Sequence, residues 1–316
     1  MLKAHEFTPL SGLAIAALSE RVGFPEGVLN VVTGTGRAVG KALVESPISS
    51  LISMTGSTRA GREIYAAAAD RVKVVRLELG GKAPFIVMDD ADIDRAVASA
   101  ITARYTNCGQ ICTCNERMYL HRNIADEFIA KFVAASAALV IGDPLTPVDL
   151  GPKISRPEVA KIDDIVARSI AGGAEILLAG GSKREGTFAK GHWYAPTILL
   201  TQKNEIPAMR EEIFGPVVPI MVVDDFEEAL RLANDSEYGL SAYVYTKDMS
   251  RVMGLSQSLE FGEIYVNRTN GELVQGFHSG WKRSGLGGED GKYGLDGYFR
   301  KKRCMSTGLK QSGTGL

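Results

Sequence analysis

Three cysteines fall within seven positions of NCGQICTCNER, residues 107–117, in a chain that has four in all. A zinc site pairs its ligands at C-x2-4-C spacing, usually with a second pair elsewhere. Here the spacing is C-x3-C-x-C with no second pair of cysteines elsewhere, so no metal is expected. Free cysteine is among the most buried residue types, and Cys108 and Cys114 read as packing thiols. Cys112 differs. It follows Gly109 and Gln110 and precedes an expected helix-to-strand transition, where free backbone N–H groups favour a thiolate and receive an oxyanion. Taken alone, the cluster leaves Cys112 open between a packing thiol and a nucleophile.

Elements that would position this stretch follow from punctuation and periodicity. Thr8 and Pro9 open a helix that Gly23 stops. A strand at VLNVV, a glycine turn at TGTG, a helix to about Glu45, a strand at SLISM, a turn at TGST and a helix to Asp70 then alternate. The strand VKVVRLEL ends in Gly80 and Gly81. Such alternation predicts a parallel, doubly wound sheet with its ligand crevice at the carboxyl ends of the strands, where a dinucleotide is the commonest occupant. From APFIVMDDADIDRAV onward a second α/β lobe begins, with helices near 92–106, 124–138, 156–171 and 225–233 and strands at RMYL, EILLA, VVPIMVV, SAYVYT and EIYVN. GGSKREGTFAKGHW reads as a polar surface loop, LDGYFRKKRCMS as an edge strand, and the tail STGLKQSGTGL as frayed.

Bulk composition narrows the function class. The chain of 316 residues is 45% hydrophobic and 23% charged, which supports a large core and two lobes. Thirty-six basic against thirty-seven acidic residues give a net charge of -1, so nucleic acid and anionic membrane surfaces are not expected partners. The longest apolar run, FVAASAALVI, is far short of the ~20 residues a spanning helix needs. Four unevenly spread cysteines are no disulfide framework and fit a reducing cytoplasm.

Four motifs then carry a resemblance. LELGGKAP at 77–84, NCGQICT at 107–113, EEIFGPV at 211–217 and GWKRSGLG at 280–287 together resemble, in order and spacing, the NAD(P)-dependent aldehyde dehydrogenase superfamily. LELGGKAPFIVMDDAD and QGFHSGW are most similar to its lactaldehyde and glycolaldehyde dehydrogenases. The implied fold is α/β: a partial Rossmann-type cofactor domain over 1–80, a catalytic domain over 81–282, and a return segment with an oligomerisation strand over 283–316. A homodimer or homotetramer is implied with it.

The resemblance makes Cys112 the nucleophile and Glu78 the general base. An aldehyde carbon releases hydride only after a nucleophile has made it tetrahedral, and the resulting thioester needs a carboxylate within reach of one water. Glu78, a lone acid between Leu77 and Leu79 at a strand end, is expected to be desolvated and its pKa raised. For the cofactor, Lys3 and Glu6 match a K-x-x-E that grips the adenine ribose. A carboxylate there accepts from both hydroxyls and repels a 2'-phosphate, favouring NAD over NADP. Gly56 and Ser57 open a helix facing the pyrophosphate, and Gly36 in GTGRAVG, a G-x-G-x-x-x-G stretch that is weak evidence by itself, is a further cofactor position. Leu79 and Gly80 border the nicotinamide, Glu212 holds its ribose, and Phe214 packs beside it. Thr113, Glu272 and His278 are expected to flank a small, hydroxylated aldehyde.

Family members carry a segment upstream of K-x-x-E, including an asparagine whose amide completes the oxyanion hole, and nothing in residues 1–316 matches it. The chain is therefore expected to be a truncated member, with inherited chemistry but with stability and activity in question. Two rivals remain open: a CoA-acylating dehydrogenase, which Glu78 disfavours, and an inactive NAD-binding or oligomer-forming fragment.

Overall fold

The computed structural model describes residues 1–269, 271 and 273–307. A seven-stranded sheet dominates it, in the spatial order Glu263–Val266, Ser241–Tyr245, Ala83–Val87, Asn115–His121, Val217–Val223, Thr197–Leu200 and Glu175–Leu178. The first six strands are parallel and the last is antiparallel. These strands read as near-continuous apolar runs because helices cover both faces. Phe85, Val87, Met118 and Leu120 point to one side, against Ala96, Ala100, Phe128 and Phe132 of helices Ile93–Tyr105 and Arg122–Ala137. Ile86, Tyr119, Val217 and Met221 point to the other, against Val159, Ile162 and Ile165 of helix Arg156–Ala171 and Ala229 and Leu232 of Phe226–Asn234. Full burial of each large apolar side chain contributes about 1.5–3 kcal/mol.

Side-chain caps set where the helices begin. Asp92 accepts from the Arg95 N–H at 3.1 Å, Asp225 from Glu228 at 2.8 Å and Ser57 from Ala60 at 3.3 Å, each satisfying a donor with no intrahelical partner.

A smaller sheet precedes the large one. Leu51–Thr55 runs parallel to Val74–Glu78, and Gly285–Leu286 returns antiparallel on the other side of Val74–Glu78. Leu2–Lys3 pairs only with Val31–Val32, so among the described residues the first 80 positions form two small sets of strands and not the single doubly wound sheet expected. The expected strand at VLNVV is cut to two residues because Val28 closes a turn onto the Pro25 carbonyl. Helix Pro9–Arg21 buries none of its residues.

Two further expectations are corrected. GGSKREGTFAKGHW is no plain loop: Gly181–Lys183 and Trp193–Ala195 form an antiparallel ladder within and beside it. LDGYFRKKRCMS makes no strand. Leu295 and Asp296 end the helix Gly291–Asp296, and 297–307 lack a sheet partner, without which alternation alone cannot sustain extended pairing. Strand Thr197–Leu200 and helix Met249–Ser258 were not foreseen.

Glu78 ends a strand of the small sheet, and five residues later Ala83 begins one of the large sheet. Ala83 pairs with Asn115, and Thr197 with Val217. The turns 79–82, 109–114 and 212–216 therefore meet where the two sheets adjoin.

Candidate active site

The nucleophile loop is held in an uncommon conformation. Asn107, Cys108 and Gly109 follow one another with φ of 51°, 57° and 71°, a run of left-handed residues that only surrounding contacts sustain. Gln110 supplies several. Its amide donates to the Asn107 and Pro152 carbonyls at 3.0 and 3.3 Å, and its oxygen accepts from the Ile154 N–H at 2.9 Å. Gly109 has no room for a side chain, since a Cβ there would lie 2.5 Å from the Gly215 carbonyl oxygen. The Thr113 carbonyl accepts from the Tyr243 hydroxyl at 2.5 Å, tying the other end of the loop to the sheet, and Thr113 itself is fully enclosed.

The three cysteines separate by environment. Cys108 and Cys114 are buried, and burial pushes both thiols up to about 11. Cys112 is partly accessible. It is among the groups that raise the His278 imidazole.

His278 joins Cys112 to Glu78. Its Nε2 lies 3.3 Å from a Glu78 carboxylate oxygen, and its Nδ1 lies 3.0 Å from Glu263. These are ion-pair distances whose angles fall outside hydrogen-bond geometry: neither Glu78 oxygen nor His278 Nδ1 has a formed hydrogen bond. Cys112, Glu263 and Glu78 together push the imidazole up to about 12. Burial raises the Glu78 carboxyl above the ordinary carboxylate range, while His278 pulls it the other way. A buried carboxylate whose oxygens accept no formed hydrogen bond is suited to hold a water or a ligand hydroxyl.

Behind the loop lies a charged network the sequence did not disclose. Glu116 is fully buried, 2.8 Å from Lys82 Nζ and 3.4 Å from Arg104 Nη1. It also accepts the backbone N–H groups of Ile213 and Phe214 at 2.8 Å each. Burial works against its charge, but Lys82 and Arg104 prevail and hold it down to about 2. One carboxylate thus orders the EEIFGPV turn, in which Phe214 has φ of 54°. Lys153 donates to the Phe214 carbonyl and lies 5.5 Å from the ring centroid.

Of the positions expected at a dinucleotide, several meet in pairs. Glu212 accepts from the Gly81 N–H at 2.8 Å, and a Cβ on Gly80 would strike its carboxylate at 2.6 Å. Burial and nearby Glu116 push Glu212 up to about 7. Leu79 packs onto Gly61 of helix Thr58–Ala69, where an added Cβ would come within 2.5 Å of it. The Gly56 N–H donates to the Glu78 carbonyl at 2.9 Å, and Ser57 caps the helix. Glu6 accepts from the Gly36 N–H at 2.9 Å, and a Cβ on Gly36 would meet open space. Lys3 is not drawn to Glu6; its amine donates to the Ala4 carbonyl at 2.7 Å. Glu272 lies outside the described residues. Side-chain-free backbone at Gly36 and Gly80 would fit the close approach of a dinucleotide.

A surface cavity of about 410 Å³ opens at the other end of the small sheet, against Leu51, Val74 and Arg300, and includes none of these residues.

Comparison with known proteins is consistent across sequence and structure. The sequence pattern of the Aldehyde dehydrogenase family matches residues 1–304. A 3,6-anhydro-alpha-L-galactose dehydrogenase of Vibrio sp. (strain EJY3) is 47% identical over 303 residues, which cover 96% of this chain and 63% of that protein. A lactaldehyde dehydrogenase of Escherichia coli (strain K12) is 43% identical over 302 residues, covering 95% and 62%. The solved structure of a 3,6-anhydro-L-galactose dehydrogenase in complex with NAP superposes with a TM-score of 0.90 at 49% identity, over 93% of this chain and 62% of that one. The chain thus spans less than two thirds of the length of these relatives.

Proposed function

The chain belongs to the aldehyde dehydrogenase family, and on that premise we propose that its site oxidises a short, hydroxylated aldehyde to the carboxylate with NAD, through covalent intermediates on Cys112. One observation carries this reading: the Cys112 backbone packs on Gly81, three residues past Glu78, while a single imidazole, His278, lies 3.3 Å from the Glu78 carboxylate and is pushed up in part by Cys112, so the supports for nucleophile and base meet in one place.

The Cys112 thiolate adds its electron pair to the aldehyde carbon, and the carbonyl oxygen takes up the charge. When bound, a nicotinamide dinucleotide supplies the acceptor for the hydride that leaves this carbon as the oxygen's electron pair returns. The carbon is then a thioester of Cys112. Glu78 takes a proton from one water as that water's oxygen adds to the thioester carbon; the C–S bond breaks, and Cys112 leaves as a thiolate. Lys3, Glu6, Gly36, Gly56 and Ser57 would hold the adenosine and pyrophosphate, and Leu79, Gly80, Glu212 and Phe214 the nicotinamide end. The Glu6 carboxylate supports NAD over NADP because a 2'-phosphate beside it would be repelled. His278, Thr113 and Glu272 are assigned to the aldehyde.

Glu78 beside the nucleophile favours water over coenzyme A as acyl acceptor. The test is product analysis of the purified chain with glycolaldehyde or lactaldehyde and NAD. Free carboxylate equal to NADH formed, unchanged by coenzyme A, supports the proposal; NADH formation that requires coenzyme A contradicts it.

A second reading, a chain that binds dinucleotide or assembles without turning over, is favoured by the helix Pro9–Arg21, where Leu10 and Leu18 stand 77% and 56% exposed. We assign the dinucleotide-binding part to 1–80, the catalytic part to 81–282 and the return segment to 283–316, in keeping with sheets that change over between Glu78 and Ala83. A homodimer or homotetramer in the cytoplasm completes the proposal, supported by exposed Tyr293, Leu295 and Phe299 and by four free cysteines. No described helix is long and apolar enough to cross a membrane.

A further inference from the structure

Glu263 lies on the strand Glu263–Val266 at the edge of the large sheet, and neither family motif nor spacing drew attention to it. Its two oxygens have separate duties. One accepts from the Tyr265 hydroxyl at 2.8 Å; the other lies 3.0 Å from His278 Nδ1. Tyr265 is itself anchored, its ring stacked on Tyr243 at 5.1 Å, and Tyr243 holds the Thr113 carbonyl next to the nucleophile. The His278 backbone is fixed from another side, exchanging hydrogen bonds of 3.0 and 2.6 Å with Glu289. The ring therefore stands between two carboxylates, from two different sheets.

We propose that Glu263 is a positioning residue: held by Tyr265, it fixes the His278 ring so that Nε2 stays beside Glu78. The proposal rests on the reading of Glu78 as the base. An imidazole with a carboxylate at each nitrogen is stable only when both nitrogens carry protons, because a bare lone pair against a carboxylate is repelled. His278 is thus a resident cation. Burial raises the Glu78 carboxyl, and the charge on His278 pulls it the other way, toward the ionised form that takes a proton from water. The titratable groups around the ring are Glu78 from the small sheet, Glu263 from the large sheet and Cys112 from its loop. Glu289, whose own carboxylate takes Ser53 at 2.8 Å and Tyr298 at 3.2 Å, adds further negative field at Glu78. Removing Glu263 takes away one of the three side chains that raise His278.

The test is imidazole NMR of the full chain, with the His278 signal assigned from a His278→Asn spectrum, followed from about pH 6 to about pH 9. The wild-type signal should remain that of the cation throughout. In Glu263→Gln, which keeps an acceptor for Tyr265, it should titrate inside this window, and Glu263→Asp should restore part of the shift. A His278 signal that titrates alike in wild type and Glu263→Gln overturns the proposal. If Glu263→Gln moves His278 but Glu78→Gln leaves hydrolysis intact, the positioning role stands and the base assignment falls.

Discussion

Gly81 packs directly on the backbone of Cys112: a Cβ at residue 81 would lie 2.4 Å from the Cys112 carbonyl oxygen. No flexible side chain separates them, so one backbone must yield. Gly81→Ala is expected to displace the nucleophile by a sizeable fraction of an ångström and to lower turnover by about 10²-fold, since catalytic geometry tolerates little. Circular dichroism and the rate of Cys112 alkylation check it; unchanged alkylation and turnover would show that the loop yields at no cost.

The cysteines should label unequally. Iodoacetamide near neutral pH is expected to modify Cys112 and the exposed Cys304 and to spare Cys108 and Cys114, whose thiols burial pushes up to about 11. Peptide mapping by mass spectrometry reads the pattern, and a short aldehyde with NAD should protect Cys112 alone.

Glu116 makes the site depend on a buried charge network. Glu116→Ala leaves Lys82 and Arg104 without their shared carboxylate and two backbone N–H groups without an acceptor, for a loss of about 3–5 kcal/mol in urea unfolding. The same group sets an acid limit. Its folded carboxyl is held down to about 2, so it contributes stability above the ordinary carboxylate range that disappears as pH falls from there toward about 2. Glu116→Gln should flatten that part of the stability profile, whereas an equally steep acid limb would assign it to other carboxylates.

Release of the acid should follow the ionisation of Glu78. Burial raises that carboxyl, so hydrolysis is expected to increase with pH through a midpoint above the ordinary carboxylate range. Glu78→Gln should slow it by about 10²- to 10⁴-fold while a first burst of NADH persists. Stopped-flow traces over pH separate burst from steady state.

Much of the fold was legible because buried strands and capped helices leave strong local marks. VVPIMVV, SAYVYT and Arg156–Ala171 fall where apolar runs and helix punctuation place them. The missing elements are those whose partners decide them: LDGYFRKKRCMS alternates but has no strand beside it, and GGSKREGTFAKGHW pairs despite its polarity. At the site, Cys112, Glu78 and His278 could be named because their motifs are contiguous. Glu116 and Lys82 could not, being 34 residues apart and joined only by the pairing of Ala83 with Asn115. Glu263 escaped for the same reason, as its role exists only where one strand edge meets the loop carrying His278.

The most direct measurement is mass spectrometry of the Glu78→Gln chain after brief exposure to a short hydroxyaldehyde and NAD, with Cys112→Ala alongside. The account predicts an acyl mass gain on the Cys112 peptide in step with the NADH formed, and neither product in Cys112→Ala. NADH formation that survives in Cys112→Ala, or an acyl group carried by any other residue, would contradict it.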